Sequence, residues 1–291
     1  MCRLFGMSGG PERVRATFWL LEAPDSLAEQ SRREPDGTGL GFYEQSGSPV
    51  MQKQPLAAYE DHAFAHAARE ACSRTFVAHV RYASTGAVAA ENTHPFEQQG
   101  RLFAHNGVIG DLPALEQELG EAMAGVRGDT DSERFFALIT REIERTRDIG
   151  LGIVSATGWV AEHLPVFALN LVLITERELW ALRYPDVHEL HFLERAPGGP
   201  TGHRHLDHAS ARGSIRVRSG DLGRLPAVVV ASEPIDEDAG WSALESGQLL
   251  HVGPDLAVTV SRPLPDPPAR QLTLADLGEK AAASQAPAQP V

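Results

Sequence analysis

The sequence predicts an α+β protein, because segments with the pattern of strands are interspersed with segments with the pattern of helices. Two runs rich in β-branched and aromatic residues, 75–86 and 101–107, close with glycine and predict strands. The nearly all-apolar run 167–175 and the following run 178–184 predict a hairpin whose first arm is buried. With 42% hydrophobic and 22% charged residues, the 291-residue chain has the composition of a globular protein with a sizeable core.

The other elements follow from local patterns in chain order. Residues 1–10 alternate apolar and small residues before a glycine pair, which predicts a strand that enters a turn. The stretches 16–23 and 59–72 predict helices, and the Pro/Gly-rich segment 31–41 predicts a loop that leads into a strand at 42–43. A phosphate-binding loop opens a helix, so the glycines of this loop do not predict a phosphate site.

A later helix is predicted over 134–147. Thr130 and Glu133 form a capping box before it, so the acidic residues around them have a plain interpretation as a helix N-terminus. A buried strand is predicted at 227–234 and a last strand near 248–260.

These segments predict one domain over residues 2–262, followed by a tail over 263–291. Six of the 20 prolines fall in this tail, mixed with alanine and glutamine. Such a composition offers little to bury, and the tail is therefore expected to be disordered.

Charge and cysteine content limit the partners and the compartment. Lys+Arg 26 against Asp+Glu 39 gives a net charge of −13, which argues against a nucleic-acid or anionic-membrane partner. Two cysteines cannot build a disulfide framework, and there is no basic-then-apolar leader, so a cytoplasmic location is expected. No apolar run approaches the length of a membrane span.

The first residues carry the strongest chemical signal. Cys2 follows the initiator methionine, and its small side chain permits removal of that methionine, which would leave a thiol and a free α-amine on one residue. The α-amine has a reference pKa of about 7.7–8.0 and the thiol about 8.5, so the amine can accept the thiol proton near neutral pH. Cys2 is therefore a candidate nucleophile with its own base, and simple packing in a core is the alternative.

Two strands place further polar residues in a pattern of interest. Period-two alternation puts His79 and Arg81 on one face of the strand at 75–86 and apolar residues on the other, so this face meets either solvent or a ligand. Asn106-Gly107 is a strong hairpin signal, and a plain turn is the alternative to a functional role for these two residues.

Taken together, six ordered motifs resemble the glutaminase domain of class II glutamine amidotransferases, which are N-terminal nucleophile hydrolases. The resemblance covers about residues 2–135, and Ala231-Ser232-Glu233-Pro234 extends it to stand-alone γ-glutamyl amidohydrolases of the ergothioneine-pathway type. The six motifs are Cys2, Pro35-Asp36-Gly37-Thr38-Gly39, His79-Val80-Arg81-Tyr82, Asn92-Thr93-His94-Pro95-Phe96, His105-Asn106-Gly107 and Thr130-Asp131-Ser132-Glu133.

The resemblance implies a four-layer αββα sandwich of two antiparallel sheets. It also implies that Cys2 attacks a γ-carboxamide to form a thioester. In the same way, it makes the Asn106 side chain and the Gly107 backbone N–H the oxyanion hole.

The resemblance also implies that three further residues recognise the substrate. Arg81 would hold the substrate α-carboxylate with its guanidinium fork, and Asp131 would pair with the α-ammonium. His94 would either contact the substrate or only shape its loop.

The sequence departs from the family pattern at three positions. Glu34 stands where the family often has glycine before Pro-Asp, and Thr85 replaces a common histidine. Asp111 stands where asparagine is usual after the Asn-Gly pair. These changes affect the expected shape of the loops on the glutamine side and leave the nucleophile assignment intact.

The expected function is an amidohydrolase without a cofactor that cleaves a γ-glutamyl amide, either glutamine or a γ-glutamyl conjugate. The tail at 263–291 is shorter than the roughly 50 residues of the smallest domains, so an ammonia-using synthase would be a separate partner protein. The alternatives are an ammonia-supplying subunit of such a pair and a non-catalytic binding subunit. The Gly/Pro-rich stretch 195–225 is a candidate for lining the far side of the amide.

One further pattern suggests a metal. His203, His205, Asp207 and His208 match the spacing of di-zinc hydrolases, and metal-dependent hydrolysis is the least favoured alternative. The pattern lies two thirds along the chain, in a loop-rich region with only His251 after it. We therefore expect no metal there and dispensable histidines.

Overall fold

The computed structural model describes residues 2–82, 86–198, 208–209, 216–217 and 224–285. Its centre is a pair of antiparallel sheets. The first sheet contains, in spatial order, β13 (Ser242–Ala243), β9 (His191–Arg195), β12 (Ala227–Ala231), β1 (Arg3–Ser8), β4 (Thr75–Arg81), β2 (Gly37–Tyr43) and β3 (Pro49–Gln54). The N-terminal strand therefore lies in the middle of its sheet, where both neighbours hold it.

The second sheet is built around the longest strand. It contains, in spatial order, β15 (Val258–Ser261), β14 (Leu249–Val252), β8 (Leu179–Leu182), β7 (Pro165–Ile174), β6 (Arg101–Ile109) and β5 (Phe96–Gln98). A short strand, β16 (Arg270–Gln271), pairs in parallel with the start of β7, and two-residue strands β10 (His208–Ala209) and β11 (Arg216–Val217) pair with each other.

Helices cover the outer faces of both sheets. They are α1 (Leu27–Gln30), α2 (His62–Glu70), α3 (Leu112–Leu119), α4 (Asp131–Thr146), α5 (Ile149–His163) and α6 (Glu279–Gln285). Shorter turns lie at Phe18–Glu22, Gly120–Gly125 and Leu274–Asp276. Within the described ranges, no helix is both long and apolar enough to cross a lipid bilayer.

Period-two alternation along the strands produces three stacked cores. In β4, Val77 points into the core between the sheets, whereas Phe76 joins the core under α2. On the other side, Phe103 of β6 stacks on Phe136 of α4 with ring centroids 4.7 Å apart. Truncating a buried phenylalanine of this kind typically costs about 3–5 kcal/mol. The result is the predicted four-layer αββα sandwich, which is confirmed.

The structure departs from the predicted elements at several points: α1 and α3 were not predicted, and β2 begins at Gly37, inside the loop predicted over 31–41. The stretch 16–23 forms only the single π-helical turn Phe18–Glu22, and α5 was not predicted at all. Gly152 lets α5 approach α4 closely, because a Cβ there would lie 2.4 Å from the side chain of Ile143. Because α5 depends on this tertiary contact, the local sequence pattern indicates the helix only weakly.

Residues 263–285 of the tail that its composition predicts to be disordered make specific contacts in the structure. Leu272 donates a backbone hydrogen bond to Val166 at 2.8 Å beside β7, and its side chain packs with Phe167. The tail then turns into α6, where Ser284 and Gln285 are buried. Proline favours extended backbone, and here that extended chain pairs with a strand edge instead of staying free. Residues 286–291 lie outside the described part of the chain.

Candidate active site

Cys2 lies directly before β1 and is held from both sheets. Its Sγ accepts a hydrogen bond from the backbone N–H of Tyr82, at the end of β4, at 3.2 Å. The side-chain Nδ2 of Asn106, in β6 of the second sheet, donates to the Cys2 carbonyl at 3.0 Å. The residue predicted as nucleophile is thus buried and fixed where the two sheets meet.

A cavity of about 20 Å³ adjoins the Cys2 thiol. That volume corresponds to roughly one water molecule, so side chains must move before a larger group enters. The cavity brings together five of the six predicted site residues, and Asn106 adjoins it through Cys2. Its lining consists of Cys2, His79, Arg81, Tyr82, His94, His105, Gly107, Thr130, Asp131, Ser132 and Gln285.

Asn106 and Gly107 lie inside β6 and not in a hairpin turn, so the turn interpretation is wrong. Asn106 pairs with Asn170 and Gly107 pairs with Leu169 across β6 and β7. A Cβ on Gly107 would lie 1.7 Å from the carbonyl oxygen of Ala168. Glycine is therefore required here because β7 approaches too closely for any side chain.

The His79/Arg81 face of β4 looks into the space between the sheets. Both side chains are buried and line the cavity, so the solvent interpretation of this face is wrong. Arg81 donates from Nη1 to the carbonyl of Ala87 at 3.1 Å. Burial lowers the pKa of Arg81, while the nearby Cys2, Asp36 and Asp131 raise it. A guanidinium remains charged under these conditions.

Asp131 lines the cavity at the first turn of α4. Its Oδ2 accepts from the backbone N–H of Ile109 at 2.9 Å and its Oδ1 from that of Ser132 at 2.9 Å. Thr130 caps the helix as predicted, accepting from the N–H of Glu133 at 3.2 Å. The acidic cluster is thus a helix N-terminus whose first carboxylate also faces the cavity.

The loop that carries His94 packs closely on β2. A Cβ on Gly39 would lie 2.0 Å from the carbonyl oxygen of His94, and one on Gly37 would lie 3.0 Å from Thr93. The glycines of the Pro35–Gly39 motif therefore make room for this loop. The His94 ring lies 4.2 Å from that of His79, between centroids.

An ion-pair network that no local sequence pattern indicates fixes β1. Arg3 is buried, and its Nε lies 2.8 Å from Glu233, while its Nη1 lies 3.6 Å from Glu34. Burial raises the pKa of Glu34, and Arg3 opposes this rise. In addition, the Leu4 N–H donates to Ser232 Oγ at 2.9 Å. Ser232 and Glu233 of the Ala231–Pro234 motif therefore position the strand that follows Cys2.

Three neutral histidines surround the cavity. Burial lowers the pKa of His79 to about 3, with Arg81 adding to the effect. Burial also lowers the pKa of His94, well below its ordinary value, and that of His105. His105 is further held between Ser132 Oγ, at 2.9 Å from Nδ1, and the Ala168 carbonyl, at 3.3 Å from Nε2.

These shifts predict a loss of stability in acid. His79, with its native pKa lowered to about 3, takes up a proton on unfolding between about pH 3 and 6.5, so the free energy of unfolding falls as pH falls through that window. Within this window His79 contributes about 1.4 kcal/mol per pH unit. We expect His79→Gln to flatten this slope in urea unfolding at pH 5, 6 and 7, by about 2 kcal/mol between pH 7 and 5.

The matched control for this prediction is His62→Gln, since His62 is exposed on α2. Its pH dependence of unfolding should equal that of the wild type. Equal slopes for His79→Gln and the wild type would contradict the assignment of the acid sensitivity to His79.

Comparison of the chain with known protein families identifies the family to which it belongs. The family model for class II glutamine amidotransferases matches residues 1–270 of the chain. The chain belongs to the class II glutamine amidotransferases. It is accordingly an amide-hydrolysing enzyme.

Relatives and solved structures of this family support the fold. The chain is 28% identical over 265 residues to a γ-glutamyl-hercynylcysteine sulfoxide hydrolase of Mycolicibacterium smegmatis, covering 87% of this chain and 96% of the relative. A glutamine aminotransferase class-II domain protein from Silicibacter pomeroyi superposes with a TM-score of 0.58 at 18% identity, covering 91% of this chain and 100% of that one. The glutamine phosphoribosylpyrophosphate amidotransferase of B. subtilis gives 0.62 at 20% identity, over 91% of this chain and 50% of that one.

The departures from the family pattern have separate structural consequences. Glu34 is buried beside Arg3, as described above. Asp111 has a positive φ of 55° and caps α3 through the N–H of Ala114, a conformation that aspartate tolerates. Thr85 lies outside the described residues.

The metal pattern lies largely outside the described residues as well. Of its four ligand candidates, only His208 falls on a described backbone segment. In the part of the chain that the structure describes, no group of three or more His, Cys, Asp or Glu side chains is arranged to hold a metal ion. The expectation that these histidines are dispensable stays a prediction, and most of the 195–225 stretch is likewise undescribed.

Proposed function

We propose that this amidotransferase hydrolyses a γ-glutamyl amide, glutamine or a γ-glutamyl conjugate, through a thioester on Cys2. The observation that carries the proposal is the shared cavity of the Cys2 thiol, the Arg81 guanidinium and the Asp131 carboxylate. A nucleophile, a cation for an α-carboxylate and an anion for an α-ammonium are the groups that a γ-glutamyl headgroup requires.

The Cys2 thiol needs a nearby base that removes its proton. Burial raises the pKa of the Cys2 thiol, so little thiolate forms spontaneously at neutral pH. Once the initiator methionine is removed, the α-amine of Cys2 accepts the thiol proton, since its reference pKa is about 7.7–8.0. A lysine, with a reference pKa of about 10.4, would need a large shift to serve at this pH.

The reaction then proceeds in two balanced steps. Sγ of Cys2 attacks the γ-carbonyl carbon, and the departing amine takes the proton held by the α-ammonium. Water attacks the resulting thioester, the α-amine takes a proton from this water, and glutamate leaves as the thiol is restored. Each step passes through an oxyanion, which the Gly107 N–H and the Asn106 amide stabilise.

Asn106 has two connected tasks in this scheme. One N–H of its amide donates to the Cys2 carbonyl at 3.0 Å, which fixes the nucleophile. The second N–H is the donor to the oxyanion. Removing one such donor typically costs about 10²–10³ in kcat.

The headgroup contacts follow from charge. Arg81 binds the α-carboxylate and Asp131 the α-ammonium, which together select a γ-glutamyl group over other amides. His94 positions its loop beside the cavity and, being neutral, adds no charge that would compete with Arg81. Two free cysteines fit a reducing cytoplasm as the place of this reaction.

The name of the Mycolicibacterium smegmatis relative supports a substrate larger than glutamine. The test is a comparison of kcat/KM for glutamine with that for several γ-glutamyl conjugates. We expect at least one conjugate to exceed glutamine. A clear preference for glutamine, with activity that rises when a synthase is added, would make the chain an ammonia-supplying subunit, and no hydrolysis of any γ-glutamyl amide would make it a binding subunit.

The mechanism makes a prediction about the N-terminus. Untagged active protein should begin at Cys2, because a residue before it removes the free α-amine. Protein that retains Met1, or an uncleaved tag, is expected to lose nearly all turnover. Intact-mass analysis combined with the hydrolysis assay measures both properties, and full activity with Met1 in place would refute the α-amine as base.

A further inference from the structure

A second, larger cavity lies behind one wall of the catalytic cavity. This outer pocket has a volume of about 660 Å³, and its lining includes Phe167, Val187, His188, Arg262, Leu272 and Gln285. Small-molecule sites usually measure about 300–1,000 Å³, so the outer pocket has the size that the catalytic cavity of about 20 Å³ lacks. Gln285 lines both cavities.

The wall between the two cavities includes the hydrogen-bonded pair of Gln285 and His188. The Oε1 of Gln285, in α6, lies 2.7 Å from the Nε2 of His188. Burial lowers the pKa of His188 to about 4, so the ring is neutral and its Nε2–H donates to the amide oxygen. Gln285 is 1% exposed and His188 3% exposed, so both side chains of the pair are buried.

The position of this wall relative to Cys2 is set by the second sheet. The His188 carbonyl accepts a hydrogen bond from Asn170 Nδ2 at 3.1 Å. Asn170 is the β7 partner of Asn106, whose amide holds Cys2. The wall therefore adjoins the oxyanion side of the cavity, whereas Arg81 comes from the opposite sheet.

We propose that the outer pocket binds the amine half of the γ-glutamyl substrate, and that Gln285 with His188 determines which amines enter it. The inference rests on the proposed function and extends it to a leaving-group subsite. The headgroup between Arg81 and Asp131 already needs more than about 20 Å³, so side chains that line the catalytic cavity must move when the substrate binds. Gln285 is the lining residue that both cavities share, so its movement gives the amine access to the larger outer pocket.

The lining of the outer pocket indicates the chemistry of that amine. Phe167, Val187 and Leu272 present apolar surface, and the Phe167 ring lies 5.4 Å from that of His188, between centroids. Arg262 is half-exposed at the rim and is already within 3.5 Å of Glu245. The pocket therefore suits an amine with an apolar or aromatic body more than a second charged group.

The experiment compares kcat/KM for γ-glutamylanilide, a conjugate with an aromatic amine, with kcat/KM for glutamine in each variant. Val187→Trp narrows the outer pocket from its rim and should lower the anilide-to-glutamine ratio by at least about tenfold, the lower range of pocket discrimination. Val260→Trp on β15 is the matched control, because the two valines are similarly exposed, 37% and 40%, and Val260 does not line the pocket. Its ratio should equal that of the wild type.

A second variant tests the wall itself. Gln285→Ala removes the side chain that separates the cavities and should raise the anilide-to-glutamine ratio, while thermal unfolding establishes that the variant is folded. Equal ratios in Val187→Trp, Val260→Trp and Gln285→Ala, in a wild type that cleaves both substrates, would overturn the leaving-group subsite alone. A wild type that cleaves no γ-glutamyl amide would instead overturn the proposed function and this subsite with it.

Discussion

Cys2→Ala is expected to lower kcat by at least about 10⁴-fold, since removing the nucleophile of a covalent mechanism abolishes the step on which the other groups act. Substrate binding should persist, because in the proposed mechanism Arg81 and Asp131 supply the contacts to the headgroup. The fold should persist as well, since the backbone groups of residue 2 still accept the Asn106 hydrogen bond. Initial rates and isothermal titration with glutamine measure the two properties separately.

The chain contains a matched control for this substitution. Cys72 is the other free thiol and is exposed, so Cys72→Ala should leave kcat unchanged. A thiol-directed glutamine analogue should add one mass equivalent to the wild type and to Cys72→Ala, and none to Cys2→Ala. Appreciable turnover by Cys2→Ala would show that another group is the nucleophile.

Arg81→Ala is expected to lower kcat/KM by about 10²–10³-fold. Arg81 is 4% exposed, and truncating one partner of a buried charged pair typically costs about 3–5 kcal/mol. A bidentate contact to a carboxylate needs the planar guanidinium, so Arg81→Lys should recover only part of the loss. Steady-state kinetics of the three proteins with glutamine measure these effects.

A second substrate distinguishes a role of Arg81 in recognising the substrate carboxylate from a purely structural role of Arg81. In 4-aminobutanamide the α-carboxylate of glutamine is missing, so its slow hydrolysis should be nearly insensitive to Arg81→Ala. Arg81 also donates to the Ala87 carbonyl, and a purely structural role would lower kcat/KM equally for both amides. Equal losses would therefore refute the carboxylate contact.

Some features of the site could be predicted because their signal is local. A cysteine beside the initiator methionine is a candidate nucleophile because of its position alone. Strand alternation placed His79 and Arg81 on one face without any tertiary information. The four-layer sandwich, by contrast, was implied by the resemblance of the ordered motifs to a known family. The first two predictions depend on residue types and on spacings of a few residues.

Other features could be described wrongly or not at all from local patterns. Asn106-Gly107 has the strongest short hairpin signal, yet both residues lie inside β6, where they pair with β7. The glycine is needed for the close approach of β7 and not for a turn. The ion pairs of Arg3 with Glu34 and Glu233 join residues 31 and 230 positions apart, so no spacing indicated them.

What the sequence by itself determined about this protein is its family and the fold that the family implies, together with a candidate nucleophile and candidate headgroup contacts. Only the tertiary structure decided that the proline-rich tail packs against β7 and brings Gln285 to the cavity of Cys2. Composition measures how much apolar surface a segment can bury by itself. Composition does not show that the segment can become ordered by packing against a neighbouring strand edge and an apolar surface.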